Sequence, residues 1–92
     1  MGAQPSGQYE IRITESARLE LRELPNEVRS IIWDVIDTLV VDPIPAVAEE
    51  LRGMSGRYRI IVSTPTAIRW HILYKVDNPR NHIVLIYRVL RP

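Results

Sequence analysis

A chain of 92 residues without a cysteine has room for one domain with a modest core, and it excludes disulfides, thiolate chemistry and the usual zinc sites. Hydrophobic residues at 46% against 25% charged ones argue against wholesale disorder. The net charge of +1 hides an asymmetry: residues 1–50 hold ten acids and four arginines, a net −6, whereas residues 51–92 hold seven arginines, Lys75 and the single acid Asp77, a net +7. Such a split suggests one surface made for a polyanion, unless the two halves simply neutralise each other across the fold. Arginine outnumbers lysine eleven to one; its planar fork suits bidentate phosphate contacts, although genome composition produces the same bias.

The first eight residues, MGAQPSGQ, lack an apolar signal core and read as a flexible leader, residues 1–8. No apolar run reaches membrane-spanning length, and a chain without cysteine defaults to the cytoplasm. YEIRI, residues 9–13, alternates apolar and charged side chains and reads as a first strand. Thr14 can cap a helix whose first turn carries Glu15 and whose apolar stripe is Ala17, Leu21 and Leu24. Pro25 stops it. Val28, Ile31, Ile32, Val35, Ile36, Leu39 and Val40 then recur on one helical face until DPIP, residues 42–45, ends the second helix. So short a link predicts a helical hairpin.

AVAEELRGM reads as a further helical turn with a glycine-marked exit. Beyond it the hydrophobic period changes to two. RYRIIV, IRWHILYKV and HIVLIYRVL are three strands separated by the turn compositions STPTA and DNPRN, which predicts an antiparallel meander. The fold class is therefore α+β, in the order β-α-α-β-β-β, with a helical hairpin packed on one face of an antiparallel four-stranded sheet. Tyr58, Ile60, Val62, Ile68, Trp70, Ile72, Tyr74 and Val76 share the parity of an apolar inner face. Trp33 and Trp70 read as packing residues, and His82 as a surface residue. Arg57, Arg59, Ile61, Arg69, His71, Leu73 and Lys75 form the outer face. A first hairpin symmetric about Pro65 places Arg59 opposite His71, and a second that pairs Val76 with His82 places Tyr87 there too. A slip of one residue brings Arg88 round instead.

Arginine holds phosphate and neutralises developing charge, while histidine shuttles protons near neutral pH. RNA carries its own nucleophile, the 2′-hydroxyl, so arginines and one histidine suffice in principle to cleave it. An unremarkable strand histidine is the competing reading of His71. No glycine-rich phosphate loop, nucleophilic serine motif or convincing carboxylate pair is evident.

ITESARLELRELP, LRGMSGRYRIIV, ILYKVD and IYRVL, in this order and spacing from about Tyr9 to Arg91, resemble the RelE/ParE superfamily of toxins from type II toxin–antitoxin systems. LRGM followed by an aromatic-basic strand is particularly similar to the RelE branch. The resemblance assigns residues 9–92 to one RelE-like toxin domain. It implies a metal-free, cofactor-free endoribonuclease that cuts messenger RNA on the ribosome, partnered by a cognate antitoxin protein in a hetero-oligomer. It implies Arg59, His71 and Arg91 (or Arg88 in place of Arg91) as catalytic residues. Arg52, Arg57, Arg69, Lys75, Tyr87 and Arg88, from the basic stretch and the outer sheet face read above, are the candidate RNA contacts. The second basic residue often found two places beyond Arg59 is here Ile61, and His71 stands where arginine is usual. Many RelE-like toxins continue into a tail bearing a catalytic tyrosine; this sequence ends at Pro92. YRVL also occurs in the ParE branch, so a DNA gyrase inhibitor and an inactive toxin that still binds its antitoxin remain alternative readings.

Overall fold

A computed structural model of the chain describes residues 8–66, 68–77 and 81–92. The expected leader, except Gln8, lies outside the described residues, as do Ala67 of the first hairpin link and residues 78–80 of the second. The element order is β1 (Glu10–Ile13), α1 (Glu15–Arg22), α2 (Asn26–Thr38), β2 (Glu49–Glu50), β3 (Arg57–Ser63), β4 (Arg69–Asp77) and β5 (Ile83–Leu90).

The helices begin and end where their sequence dictates. Thr14 Oγ1 accepts the Ala17 N–H at 3.2 Å, satisfying one of the free donors of the first turn of α1. Glu15 and Arg22 sit at the helix ends their charges favour. Ala17, Leu21 and Leu24 are buried as their spacing predicts, and so are Ile32, Ile36 and Leu39 of the second helix and its C-cap. They meet Ile60, Val62, Ile72, Tyr74, Val76, Val84, Ile86 and Val89 in one continuous core. Trp33, expected to pack, is 38% exposed, and Ile68 is 36% exposed at the margin of the apolar face.

The sheet has five strands in the order β1-β5-β4-β3-β2 and is mixed, where the sequence suggested four antiparallel ones. β1 runs parallel to β5, from Glu10 opposite Ile83 to Ile13 opposite Ile86. Two helices carry the chain across the sheet before the meander starts, the kind of long connection that parallel neighbours need. The fifth strand is the segment read as a helical turn: Glu49 pairs with Arg59 and Glu50 with Tyr58. Gly53 and Gly56, at φ of 75° and 80°, make the tight reversal that lays 49–50 along β3. Within that reversal the Leu51 N–H donates to the Arg57 carbonyl at 2.8 Å and the Arg57 N–H to the Met54 carbonyl at 3.1 Å.

β4 is the spine of the sheet, antiparallel to both β3 and β5. Ile72 and Tyr74 are fully buried. The Tyr74 hydroxyl donates to the Pro43 carbonyl at 2.8 Å, and its ring stacks on Tyr58 with centroids 5.7 Å apart. Burial pushes its ionisation far above the ordinary tyrosine range. Tyr74 thus ties the α2–β2 connection to the sheet. Tyr74→Phe should cost about 1–2 kcal/mol, because the part-buried Pro43 carbonyl loses its donor. Ile72→Ala should cost about 2–5 kcal/mol through the cavity left in the core. Denaturant midpoints at unchanged slope are the measurement.

Candidate functional site

The outer face of the sheet has no helical layer among the described residues, so its composition is set by strand parity alone. β3 contributes Arg57, Arg59 and Ile61, β4 contributes Arg69, His71, Leu73 and Lys75, and β5 contributes Leu85, Tyr87 and Arg88. This is the cationic face expected from the sequence. Its cross-strand pairing differs in detail.

Arg59 lies opposite Leu73, and His71 lies opposite Ile61 on one side and Leu90 on the other. The first hairpin is therefore centred one residue later than the expected Pro65. Arg59 and His71 remain on one face, as diagonal rather than direct neighbours. In the second hairpin Val76 pairs with Val84 instead of His82, and the register shifts between Leu73 and Tyr74, whose partners are Arg88 and Ile86. Tyr87 is the extra residue of this bulge. Up to Ile86 the even positions of β5 face the core; beyond the bulge Val89 does. Tyr87 and Arg88 consequently both face outward.

Glu20 of α1 fixes that bulge. Its Oε1 accepts the Val89 N–H at 2.7 Å, and its Oε2 accepts from Arg88 Nε at 2.9 Å. β1 stops opposite Ile86, so a carboxylate takes the place of a strand partner for the end of β5. Arg57 stands over the Tyr87 ring, 5.2 Å from its centroid, a cation–π contact at the centre of the face.

Around His71 the charges are mixed. Glu49 Oε1 accepts from both Nε and Nη2 of Arg59, at 3.2 and 2.8 Å. His71 is held below its ordinary titration range, chiefly by burial and then by the positive field of Arg59, with Glu49 opposing. Near neutral pH the imidazole is therefore uncharged and free to accept a proton. Arg69 and Lys75 lie on β4 at its exposed positions. Arg52 is exposed on the loop between β2 and β3 and lines an open recess with Glu50, Leu51, Gly53, Met54 and Ser55.

Arg91 is not with this group. Following the bulge, it lines a separate apolar groove of about 260 Å³ with Val28, Ile31, Thr64 and Trp70. Glu20 and Glu49 were missed from the sequence. Both belong to the acidic half, where local pattern names no partner for them; only the cross-strand pairing of Glu49 with Arg59 and the bulge beside Glu20 reveal their partners.

No protein-family model and no curated protein matches the sequence. Solved structures do match the fold. A chain of the RelBE2 toxin–antitoxin complex of Mycobacterium tuberculosis superposes with a TM-score of 0.75 at 25% identity, over 92% of this chain and 99% of that one. The free toxin RelE of E. coli, in a form with two arginines replaced by alanine, gives 0.77 at 23% identity, over 91% of this chain and 83% of that one. A chain of the intact E. coli RelBE toxin–antitoxin complex gives 0.76 at 21% identity, over 91% and 96%. The fold is that of the RelE toxins, and the likeness supports the RelE-like branch to which the sequence resemblance points. No helix among the described residues is long and apolar enough to cross a membrane.

The electrostatics of His71 can be read directly. Its NMR titration midpoint should fall below the ordinary 6.5. In Arg59→Ala the midpoint should rise, because a positive neighbour that opposes protonation is gone, while burial keeps it from rising far.

Proposed function

We propose that the chain is the toxin of a type II toxin–antitoxin pair and that it cleaves messenger RNA held on the ribosome, in the cytoplasm. The observation that carries this reading is the uncovered cationic face, on which the uncharged His71 lies among Arg57, Arg59, Arg69 and Lys75. The likeness to RelE toxins and RelBE complexes supports the toxin role and an antitoxin partner.

In this reading His71 accepts the proton of a 2′-hydroxyl. The 2′-oxygen bonds to the adjacent phosphorus, the bond from phosphorus to the 5′-oxygen breaks, and that oxygen leaves with a proton from water. A 2′,3′-cyclic phosphate remains. Arg59 neutralises charge as it builds on the phosphoryl oxygens. Arg57, Arg69 and Lys75 hold the flanking backbone, and Tyr87, backed by Arg57, offers a ring to a base. Arg88 serves the RNA only insofar as Glu20 shares it. The face is open and holds few groups, so the ribosome supplies the positioning that an enclosed site would provide.

His71→Ala should lower cleavage of ribosome-bound message by about 10²- to 10⁴-fold, the usual contribution of an acid–base group. Arg59→Ala should lower it comparably, and Arg59→Lys should recover part because the charge survives. Arg18→Ala and Arg22→Ala, exposed on α1, should leave it near the parent rate. Mapping message ends after induction measures all five; cleavage by His71→Ala at the parent rate would refute the assignment.

The same face attracts the antitoxin in this reading, through an acidic segment that orders on docking. Affinity should then fall steeply with added salt, as calorimetry at increasing ionic strength would show. Salt-independent binding would place the antitoxin elsewhere.

A further inference from the structure

The acidic residue at the edge of this face has no place in the chemistry above. Glu49 belongs to a strand of only two residues, yet its register is fixed: it sits directly opposite Arg59. One carboxylate oxygen receives two of the guanidinium donors, at 2.8 and 3.2 Å. The neighbouring Glu50 accepts the Gly56 N–H at 3.2 Å, closing the reversal that brings β2 against β3. The segment is thus built to deliver a carboxylate to one particular arginine.

We propose that Glu49 is a positioning residue: it holds the Arg59 guanidinium on the sheet edge beside His71 and acts as the internal counterion that an incoming phosphate must displace. This rests on the reading of the outer face as a phosphodiester site. A guanidinium bound by a carboxylate has its fork already ordered, so a phosphate meets a directed donor rather than a mobile side chain. The cost is competition, because the same nitrogens must be released or shared. The pair is partly solvated, with Arg59 and Glu49 side chains 36% and 58% exposed, so the competition is mild and reversible.

The arrangement also sets the charge seen by His71. The charged groups on its face are Arg57 and Arg59 from β3, Glu49 from β2, Arg69 and Lys75 on its own strand and Arg88 from β5, the last held by Glu20. While Glu49 is bound, its carboxylate offsets part of the Arg59 charge. Removing the carboxylate charge while keeping the amide's acceptor oxygen should therefore do two things at once. Phosphate should bind more tightly, and the imidazole should become harder to protonate.

The test compares the parent protein with Glu49→Gln and Glu50→Gln, which change net charge equally. Inorganic phosphate is titrated while the Arg59 Nε–H resonance is followed, and His71 is titrated with pH in the same samples. The expected result is a phosphate affinity about two- to fivefold higher in Glu49→Gln, the range for losing one exposed ion pair. The His71 midpoint should move further down. Glu50→Gln should change neither appreciably. Equal behaviour of Glu49→Gln and the parent, an equal response from Glu50→Gln, or no effect of phosphate on Arg59 in any protein would overturn the proposal. Should Glu49→Gln lose the dispersed amide spectrum of the fold, Glu49→Ser, which also removes the charge, gives the same comparison. These readouts need no cleavage, so a protein that fails to cut RNA can still pass them, and a competent nuclease can still fail them.

Discussion

β4 runs through the middle of the sheet with Ile72 and Tyr74 fully buried against the helical side, and a strand cannot bury one face without presenting the other. His71, Leu73 and Lys75 are outward for that reason alone. The same constraint passes to β3 through seven cross-strand pairs, from Arg57 opposite Lys75 to Ser63 opposite Arg69, so Arg57 and Arg59 follow. Burying any of these cations would require a partner for its charge; leaving them out costs nothing and concentrates positive potential on one surface. The helices do not make the candidate site. They consume the apolar face and thereby decide which face remains.

Parity was legible in the sequence because it depends on period, and the period of β3 and β4 is regular. Register was not, because it depends on turn geometry and on a single inserted residue. A hairpin centred one residue later separates Arg59 from direct opposition to His71 yet keeps both on one face, so the cluster survives the error. The bulge at Tyr87 is less forgiving. It brings Tyr87 and Arg88 outward together and turns Val89, and Arg91 after it, the other way. The string IYRVLRP reads as plain alternation, and the carboxylate that makes the bulge tenable, Glu20, lies 69 residues before Val89. The two-residue strand Glu49–Glu50 was invisible for a similar reason: it exists only because Gly53 and Gly56 fold it back. The parallel pairing of β1 with β5 likewise depends on a chain path that local pattern does not encode.

The charge asymmetry along the chain has a mixed meaning in three dimensions. Neutralisation between the halves is real where the structure shows it, at Glu49 with Arg59 and Glu20 with Arg88. Both pairs stand at the borders of the cationic face, one at the β2–β3 edge and one where α1 meets β5. Between them lie Arg57, set over an aromatic ring, and Arg69 and Lys75 on exposed positions of the central strand. These two acids thus frame the surface rather than cancel it. A polyanion meeting it finds accessible cations in the middle and carboxylates at the rim, which favours one path for an extended strand over diffuse adsorption.

A half-buried arginine and a histidine of depressed pKa are modest tools. A general base contributes about 10²- to 10⁴-fold, and transition-state charge stabilisation by one group about 10²- to 10³-fold. Orientation of the nucleophile and the phosphorus in line contributes more than either, and an open sheet face cannot impose it on a flexible chain. A nuclease site built on such a face, as proposed above, would act well only on RNA whose geometry something else has already fixed. The same openness leaves the face uncovered whenever no substrate is present, so that a complementary acidic chain can occupy all of it at once. In the proposed reading, the need for borrowed positioning and the ease of masking both follow from one structural fact: among the described residues, the second face of this sheet has no layer of its own.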